Sequence, residues 1–419
     1  MARDDSARAD AHRSARVLAT AHRRAPALAG ADVISGARVA LVHDWLTGMR
    51  GGERCLEVLC ELFPDAPLFT LVHVPGSVSP VIERRRIITS FIQRLPPATA
   101  EYRSEASLGL KRYYLPAFPL AIQRLDLRGY DLVLSMSHCV AKGAPVAPGA
   151  LHLCYCFSPM RYLWDMYGEY VGRRRGMVRL LAGPVAKRLR SWDRRTNGVH
   201  EFVAISNYIA ERIRRIYDRS AEVIYPPVDV SRFEIADATD DYYLVVSALI
   251  PYKRIDLAVE AATRLDRRLV VVGTGPEESR LRALAGPSVT FLGYRSDTEV
   301  AELYRRCRAL VFPVVEDFGI APLEAAAAGR PTIALRKGGA VETMVGLDDG
   351  DRPPTALFFT EQSVDALVDA MLRFERARDR FDPKALRARA EQFDRPIFKQ
   401  RLREWIERRW REHQTRRAC

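Results

Sequence analysis

The sequence predicts an α/β protein with two doubly wound domains, each built on a parallel sheet that helices cover on both faces. Short runs rich in Val, Ile and Leu alternate with segments of helical length along most of the chain. Near-continuous apolar runs of this kind are typical of parallel strands. The nine runs exceed what one ordinary doubly wound sheet needs. The predicted strands are 37–45, 131–138, 151–157 and 201–206 in the first half, and 242–249, 268–275, 289–293, 309–315 and 331–335 in the second.

The junction between the domains is predicted within residues 223–234, where two adjacent prolines interrupt a run with no clear period. We place the first domain at 37–225 and the second at 226–392, and we expect the two Rossmann-like units to face each other across a cleft. Residues 1–36 are rich in Ala and Arg and lack a sustained apolar region. They are predicted to be a disordered tail or a translation-start artefact, not a signal peptide.

Residues 393–419 are predicted to form an amphipathic helix that returns towards the first domain. Its apolar side chains fall at helical spacing, so they form one stripe that packs on a domain. These side chains are Ile397, Leu402, Trp405, Ile406 and Trp410.

The composition indicates a basic protein with reduced thiols. The chain has 65 Lys and Arg against 52 Asp and Glu, a net charge of +13. This excess favours an anionic partner, which could be nucleic acid, a lipid surface or a phosphorylated substrate; a merely basic surface is the alternative. The seven cysteines show no disulfide framework, which fits a cytosolic protein. No apolar stretch reaches the roughly 18 residues of a membrane span.

The stretch EDFGIAPLE, residues 316–324, predicts an anion site between two carboxylates. It follows a predicted strand, and Pro322 suits the first turn of a helix. The backbone N–H groups before that turn point outward at the positive end of the helix, where a phosphate fits. Glu316 and Glu324 flank this position, and carboxylates bind hydroxyl pairs well. A ligand with a phosphate between two hydroxyl-bearing groups, such as a sugar nucleotide, matches the pattern. For Glu324 alone, compensation of the helix dipole is the simpler interpretation.

Three further strand-to-helix turns of the second half are predicted to lie beside this stretch. Lys253 and Arg254 open a helix after one strand, and Gly273 and Gly275 follow the next strand. Gly338 and Gly339 form the third turn. The carboxyl ends of parallel strands share one edge of a sheet, so these turns together predict a binding site there.

Longer motifs resemble a known family. SALIPYKRIDLAVEA, VVVGTGPE and FLGYRSDTEVAELYRRCRALVFPVVEDFGIAPLEAAAAGRPTIAL resemble the retaining glycosyltransferases of the GT4 family, which have the GT-B fold. In the first half, ALVHDWLTGMRGGERCLEVLCELFPDAPLFTL, DLVLSMSHCVAKG, CYCFSPMRYLWD and FVAISNYIAERIRRIY resemble the branch with mannosyltransferases of bacterial surface polysaccharides. The resemblance covers residues 37–400.

The resemblance implies roles for residues of the second domain, the donor domain. Glu316 would contact hydroxyls of the donor sugar and Glu324 the ribose. The backbone of Phe318, Gly319 and Ile320 would hold sugar or phosphate, and Gly275 would also line the donor site. Lys253 would neutralise the diphosphate.

Two positions depart from the family pattern. The family usually has an Arg where this chain has Ala248, and Arg254 is the predicted replacement for that charge. Many members have a His where this chain has Phe157, and His138 is the predicted substitute. A structural histidine at a strand end is the alternative for His138.

The first domain is expected to take the acceptor. Gly51 and Gly52 form a glycine loop after a strand, which could contact the donor phosphate or the acceptor. Arg161, in the segment RYLWD at 161–165, has the chemistry to bind a sugar or lipid-phosphate acceptor, although a packed loop is equally consistent.

Together these observations predict a retaining glycosyltransferase of polysaccharide biosynthesis. It would move a sugar from a nucleoside diphosphate to a saccharide or a lipid-linked saccharide. GDP-mannose is the donor that the branch resemblance favours, and a UDP-sugar is the alternative. No Asp-x-Asp motif lies in a suitable cleft loop, so we predict no metal and no other cofactor. A sugar-nucleotide epimerase of the same fold is the rival enzyme. A dehydrogenase fits less well because GTGPEE lacks the third glycine of its fingerprint, and no familiar nucleic-acid-binding motif is present.

A basic segment suggests where the enzyme works. Residues 171–195 contain nine Lys or Arg and one Asp, interleaved with apolar side chains such as Val185 and Leu189. Such a segment can lie on an anionic leaflet. We therefore predict a peripheral protein on the cytoplasmic face of the inner membrane. A solvated basic face over a packed apolar side is the alternative.

Overall fold

Two parallel sheets form the framework of the molecule. The computed structural model describes residue 34 and residues 36–95, 114–164, 177–195 and 198–418. The strands of the first sheet are β1 Val39–His43, β2 Leu68–Thr70, β3 Ile87–Thr89, β4 Leu132–Ser137, β5 Leu151–Cys156, β6 Glu201–Ala204 and β7 Ala221–Val223. Those of the second are β8 Tyr243–Val246, β9 Leu269–Val272, β10 Val289–Gly293, β11 Ala309–Phe312, β12 Thr332–Leu335 and β13 Ala356–Phe359.

The two sheets have the same winding. The first has the order β3-β2-β1-β4-β5-β6-β7 and the second β10-β9-β8-β11-β12-β13. Neighbouring strands pair in parallel throughout the described sheets. Each order reverses direction once, between β1 and β4 and between β8 and β11. The predicted doubly wound α/β class is therefore confirmed.

Every predicted strand run contains a strand, but the structure adds β2, β3, β7 and β13. Three of these strands have three residues each, which is too short for a hydrophobic pattern to stand out. The fourth, β13, has the sequence ALFF and is fully buried. All four lie in the outer part of a sheet, where a short pairing is enough to extend it.

Helices connect the strands. They are α1 Gly51–Leu62, α2 Pro80–Glu83, α3 Phe118–Gln123, α4 Arg161–Trp164, α5 Met177–Arg195, α6 Asn207–Tyr217, α7 Ile255–Leu265, α8 Glu278–Leu284, α9 Asp297–Arg306, α10 Ile320–Ala327, α11 Ala340–Thr343, α12 Val364–Ala377, α13 Pro383–Glu391 and α14 Arg395–Ala418. None of the described helices combines the length and the apolar character needed to cross a membrane.

The C-terminal helix α14 packs on the first sheet and its helices. Arg395 and Lys399 bind the carboxylate of Glu61 in α1 at 2.7 and 2.8 Å. The Phe398 ring lies 5.7 Å from Tyr155 of β5. The buried side chains of the helix are Phe398, Leu402, Trp405, Ile406 and Trp410. Ile397 is only half-buried. Its neighbour Phe398 takes the buried position that the helical spacing predicted for Ile397.

Some sequence predictions fall outside the described residues. They are most of the 1–36 tail, Asp165, and residues 171–176 of the basic segment. Within α5, Val185 is 39% exposed whereas Leu189 is buried. Residues four positions apart share one face of a helix, so this apolar face is covered at Leu189 and exposed at Val185.

Candidate active site in the cleft

A cavity of about 500 Å³ lies between the two sheets. Residues that follow β1, β4 and β5 line it from the first half, and residues that follow β8 and β11 line it from the second. In doubly wound sheets, ligands bind outside the carboxyl ends of the strands where the strand order reverses. Because the reversal points of both sheets open into this cavity, it is the candidate active site.

Nine of the predicted site residues line the cavity and three do not. Gly51, Gly52, His138, Arg161, Lys253, Glu316, Phe318, Gly319 and Ile320 are part of its wall. Arg254, Gly275 and Glu324 lie outside it.

Lys253 and Glu316 form an ion pair on the wall of the second half. Lys253 ends the short turn Pro251–Lys253 after β8, and Glu316 follows β11. Burial, with a smaller contribution from the charge of Arg161, lowers the pKa of Lys253 to about 8, while Asp317 acts in the opposite direction. A desolvated cation beside a carboxylate can bind an anion next to a hydroxyl-bearing group.

Two glycines hold the backbone of Glu316 in place. The N–H of Gly339 donates to the carbonyl of Glu316 at 2.8 Å. A Cβ on Gly338 would lie 2.4 Å from that carbonyl oxygen, and one on Gly339 would lie 2.3 Å from the Cα of Phe318. Only glycine permits this approach, so the turns after β11 and β12 fix Glu316 together.

Helix α10 begins at the cavity. Gly319, its N-cap, has a φ of 85°, which favours glycine, and Ile320 is the first helical residue. The first N–H groups of the helix have no partner within the helix, and the residues at this end of the helix line the cavity. The Phe318 side chain is buried and stacks on Tyr225, with the ring centroids 5.8 Å apart. Phe318 therefore offers the cavity mainly its backbone.

Glu324 lies beside the cavity in a polar cluster. Its Oε2 accepts a hydrogen bond from Tyr304 Oη at 3.2 Å. Burial raises the pKa of Glu324, although Arg232 and Arg54 oppose the shift. Both arginines bind Asp297, at 3.0 and 2.7 Å. The structure places the second carboxylate of the motif near the cavity, and its predicted contact with a ribose stays a prediction.

Arg254 and Gly275 have other neighbours. Arg254 has a φ of 52° at the N-cap of α7, and its Nε and Nη2 donate to the carboxylate of Asp256 at 3.1 Å each. A Cβ on Gly275 would lie 2.3 Å from the carbonyl oxygen of Leu249. Gly275 thus allows the turns after β8 and β9 to touch, and the guanidinium of Arg254 is occupied away from Lys253.

His138 is held by Asp44, which the sequence analysis missed. Asp44 is fully buried, and its carboxylate accepts the N–H groups of residues 138–141 at 2.6–2.9 Å. The same carboxylate lies 3.1 Å from His138 Nδ1. The ring also packs edge-on against Trp45, with centroids 4.3 Å apart. This clamp fixes the position of the imidazole at the cavity wall. The sequence feature that could have pointed to Asp44 is its carboxylate directly after β1, in VHDW.

A second imidazole–carboxylate pair lies behind the first. His43 Nε2 is 3.5 Å from Glu53 Oε1, and both side chains are buried. The His43 ring is 6.0 Å from His138 and 6.3 Å from Phe157. Across the described parts of the chain, no three His, Cys, Asp or Glu side chains gather closely enough to hold a metal ion.

The glycine loop of the first half touches the second half. A Cβ on Gly51 would lie 2.8 Å from Ile320 Cδ1, and one on Gly52 would lie 3.5 Å from the Phe157 ring. Arg54, one turn further into α1, forms the 2.7 Å ion pair with Asp297. The start of α1 and the start of α10 are thus in direct contact.

Asp317 joins the two halves on the other side of the cavity. Its carboxylate binds Arg161 at 2.5 Å and Arg212 at 3.2 Å, both from the first half. Its carbonyl accepts a hydrogen bond from Ser206 Oγ at 2.6 Å. Asp317 was not predicted from the sequence because it stands inside the motif beside Glu316 and has no spacing signal of its own.

Solved structures with this fold are glycosyltransferase-type proteins. Sucrose-phosphate synthase from Thermosynechococcus elongatus superposes with a TM-score of 0.64 at 18% identity, over 89% of this chain and 100% of that one. Anabaena HepE in complex with UDP gives a TM-score of 0.58 at 16% identity, over 88% and 99%. At these identities the likeness shows the fold alone. The predicted GT-B fold is confirmed.

Sequence relatives match shorter parts of the chain. The GDP-mannose-dependent alpha-(1-6)-phosphatidylinositol monomannoside mannosyltransferase of Mycobacterium tuberculosis is 31% identical over 216 residues, 44% of this chain and 54% of that protein. An uncharacterized glycosyltransferase of Methanocaldococcus jannaschii is 29% identical over 157 residues, 36% and 44% of the two chains. O-antigen chain mannosyltransferase C of Escherichia coli is 36% identical over 106 residues, 24% and 29%. The chain spans about half or less of the length of these curated relatives.

The family match falls on the half that carries Lys253, Glu316 and Glu324. The profile of the family described as glycosyl transferases group 1 matches residues 229–393. The resemblance predicted from the motifs is thereby confirmed for residues 229–393, which match the glycosyl transferases group 1 family.

Proposed function

We propose that the protein transfers a sugar from a nucleoside diphosphate to a hydroxyl group of an acceptor, with retention of the anomeric configuration. The observation that carries this proposal is the Lys253–Glu316 ion pair at the start of α10, inside a cavity that both halves line. A cation for the diphosphate and a carboxylate for sugar hydroxyls stand side by side there. This is the arrangement that a phosphate-linked sugar requires.

The proposed role of each residue follows from its position in the cavity. Lys253 and the N–H groups that open α10 stabilise the charge that develops on the leaving diphosphate. Glu316 accepts hydrogen bonds from the sugar hydroxyls and fixes the anomeric carbon. On the cavity wall that the first half forms, Phe157 has no polar group to offer the donor sugar. His138, which Asp44 holds in place, supplies one there. The bond between the anomeric carbon and the phosphate oxygen breaks, the acceptor oxygen bonds to that carbon on the same face, and the proton of the acceptor hydroxyl passes to the leaving phosphate oxygen.

The donor we propose is GDP-mannose. The support comes from relatives named as mannosyltransferases, one of them GDP-mannose-dependent, that match the chain at 31% and 36% identity. A UDP-sugar is the alternative, and a structural neighbour was solved with UDP. Glu324 would hold the ribose in either case, because it lies on the same helix as the phosphate position.

We further propose that the enzyme needs no metal ion. Fixed cations and helix N–H groups neutralise a diphosphate without rearrangement during the reaction, so they can take the place of a divalent ion. The acceptor we propose is a saccharide or a lipid-diphosphate-linked saccharide at an anionic membrane surface on the cytoplasmic side.

The test is a transfer assay with the purified full-length protein. Radiolabelled GDP-mannose and UDP-glucose are each incubated with a lipid-linked saccharide extract, with and without EDTA. We expect labelled mannose in the lipid fraction, with equal yield in EDTA, and an α linkage by NMR of the product. Glu316→Gln keeps the shape of the side chain and serves as the matched control. The absence of transfer from every nucleotide sugar would overturn the proposal. Epimerised free sugar nucleotide would instead favour the epimerase reaction.

A further inference from the structure

Two cations approach the cavity from opposite halves. The guanidinium carbon of Arg161 lies 6.0 Å from the centre of the Tyr252 ring, and the Nζ of Lys253 lies 5.5 Å from the same centre. Their carboxylate partners are consecutive residues, Asp317 and Glu316. One positive group from each half thus stands beside a single aromatic ring at the cavity wall.

Arg161 has donors to spare in this position. A guanidinium carries five N–H donors in a planar fork. Asp317 takes Nη2 at 2.5 Å and is the acidic partner of Arg161 within the described residues. The side chain keeps 24% of its surface exposed and lines the cavity. Among the described residues, Asp317 therefore engages only part of a guanidinium that lines the space a ligand would fill.

No other residue near Lys253 supplies a second charge from the described part of the second half. Ala248 is neutral, and the guanidinium of Arg254 binds Asp256 outside the cavity. A diphosphate carries charge on two phosphate groups, and one lysine offers a point charge to only one of them at a time. The second half therefore provides one cation to a ligand group that carries charge on two phosphates.

We propose that Arg161 binds the donor diphosphate together with Lys253, so that the first half completes the donor site. This assignment rests on the proposed function and gives Arg161 a donor role in place of contact with the acceptor. A planar guanidinium can bind phosphate oxygens in pairs while Nη2 keeps its bond to Asp317. The mutual repulsion of the two cations in the empty cavity is relieved when the dianionic group enters. The site therefore selects diphosphates over monophosphates.

The test compares GDP with GMP by isothermal titration calorimetry on the full-length protein, with UDP and UMP as a second pair. We expect Arg161→Gln to weaken the binding of the diphosphate by about 10- to 100-fold and that of the monophosphate by much less, since a hydrogen bond to a charged group is lost only with the former. Arg161→Lys should restore part of the diphosphate preference because it keeps the charge and loses the fork.

Two further variants separate phosphate binding from structural effects. Arg254→Gln removes the same charge from the pair with Asp256 and should leave the preference for diphosphate unchanged. Arg212→Gln removes the other ion pair of Asp317 across the halves but leaves the Arg161–Asp317 pair in place, so it should also keep the preference. Melting temperatures identify variants that are unfolded. If Arg161→Gln keeps the diphosphate preference of the parent, or if Arg212→Gln loses it equally, the assignment is wrong.

The outcomes distinguish the inference from the function on which it rests. A parent protein that binds neither GDP nor UDP would contradict the proposed function, and the role of Arg161 would fall with it. A parent that binds and transfers sugar, with Arg161 variants that bind GDP normally, would contradict only the role of Arg161.

Discussion

Glu316 and Lys253 form an ion pair although 63 positions separate them in the chain. The contact follows from the sheet order, because β8 and β11 are neighbours and both residues leave the carboxyl ends of those strands. Gly338 and Gly339 allow the turn after β12 to pack closely against the backbone of Glu316 and so restrict the movement of that backbone. The backbone that carries the Glu316 carboxylate is therefore held in place by the neighbouring turn.

The first prediction concerns the two carboxylates of the motif. Glu316→Gln should lower turnover by at least about 100-fold, because the group that positions the sugar loses its charge. Glu324→Ala should weaken GDP binding by about 1–3 kcal/mol, because hydrogen bonds to the ribose are lost. Transfer kinetics and GDP titrations on both variants check this. A Glu324→Ala protein that binds GDP as tightly as the parent would show that Glu324 does not hold the ribose.

The second prediction concerns pH. The pKa of Lys253 is lowered to about 8, so its ammonium is charged below that pH and loses its proton above it. Binding of GDP should therefore weaken by about tenfold between pH 7 and pH 9. Calorimetry over this range measures the effect. In Lys253→Ala the pH dependence should be absent and binding weak throughout. A parent protein with pH-independent GDP affinity would exclude Lys253 as the titrating contact.

The sequence was informative where function needs a local motif. The residues 316–324 and the turn after β8 could be identified because their chemistry is concentrated in a few positions that follow apolar strands. The contacts that complete the cavity could not, because they join distant parts of the chain. Asp317 binds two arginines of the first half, and Asp44 clamps His138 across 94 positions. Such pairs depend on which strands lie side by side, and no spacing in the sequence encodes that.

Arg254 and the short strands show the same limit. Arg254 adjoins Lys253 in the sequence and is predicted to replace the charge missing at Ala248, but in the structure its guanidinium binds Asp256. The strands β2, β3 and β7 were missed because three residues carry no periodicity. The position of a side chain in space, and not its neighbour in the sequence, decides which cation reaches the cavity.

The third prediction concerns the contact between the halves at the glycine loop. Gly51→Leu should collide with Ile320, since even a Cβ would lie 2.8 Å from Ile320 Cδ1. The Ile320 side chain can move aside for a Cβ, but a whole leucine side chain would fill the space between α1 and α10 at the cavity wall, so turnover should fall by about 10- to 100-fold. Gly129→Leu is the matched control, because nothing lies within 4 Å of a Cβ at that position. Equal activity of the two variants would show that the contact is irrelevant to catalysis.

The fourth prediction concerns the imidazole at the cavity wall. His138→Ala should reduce kcat by about tenfold or more while GDP affinity stays unchanged, because His138 lies on the cavity wall of the first half whereas the proposed nucleotide contacts belong to the second. The control is His152→Ala: His152 is buried in the same sheet, bonds to Ser135 Oγ at 2.8 Å and lies away from the cavity.

A rescue experiment tests whether His138 replaces the imidazole that the family resemblance implies at the position of Phe157. The two rings lie 6.3 Å apart at the same wall. The double variant His138→Ala, Phe157→His should regain part of the lost turnover, because a new imidazole would reach the same space. If the double variant is as slow as His138→Ala although both proteins melt normally, the substitution hypothesis is wrong.

The last prediction concerns the membrane. The basic segment 171–195 should attract anionic lipid at roughly 1 kcal/mol per cation near the surface. Within its described part, Val185, Lys187 and Arg188 are exposed on α5, so this face presents charge around an apolar side chain. Binding to vesicles rich in anionic lipid, measured by flotation, should fade as NaCl rises, because salt screens the attraction. Replacing Arg173, Arg174 and Arg175 by Ser should weaken flotation and leave GDP binding intact.

Replacing Arg376, Arg378 and Arg380, three exposed arginines of the second half, removes the same charge elsewhere and should have a smaller effect. If both triple variants float equally, general basicity and not this segment carries the attraction. If the parent ignores anionic vesicles at low salt, the acceptor is a soluble saccharide.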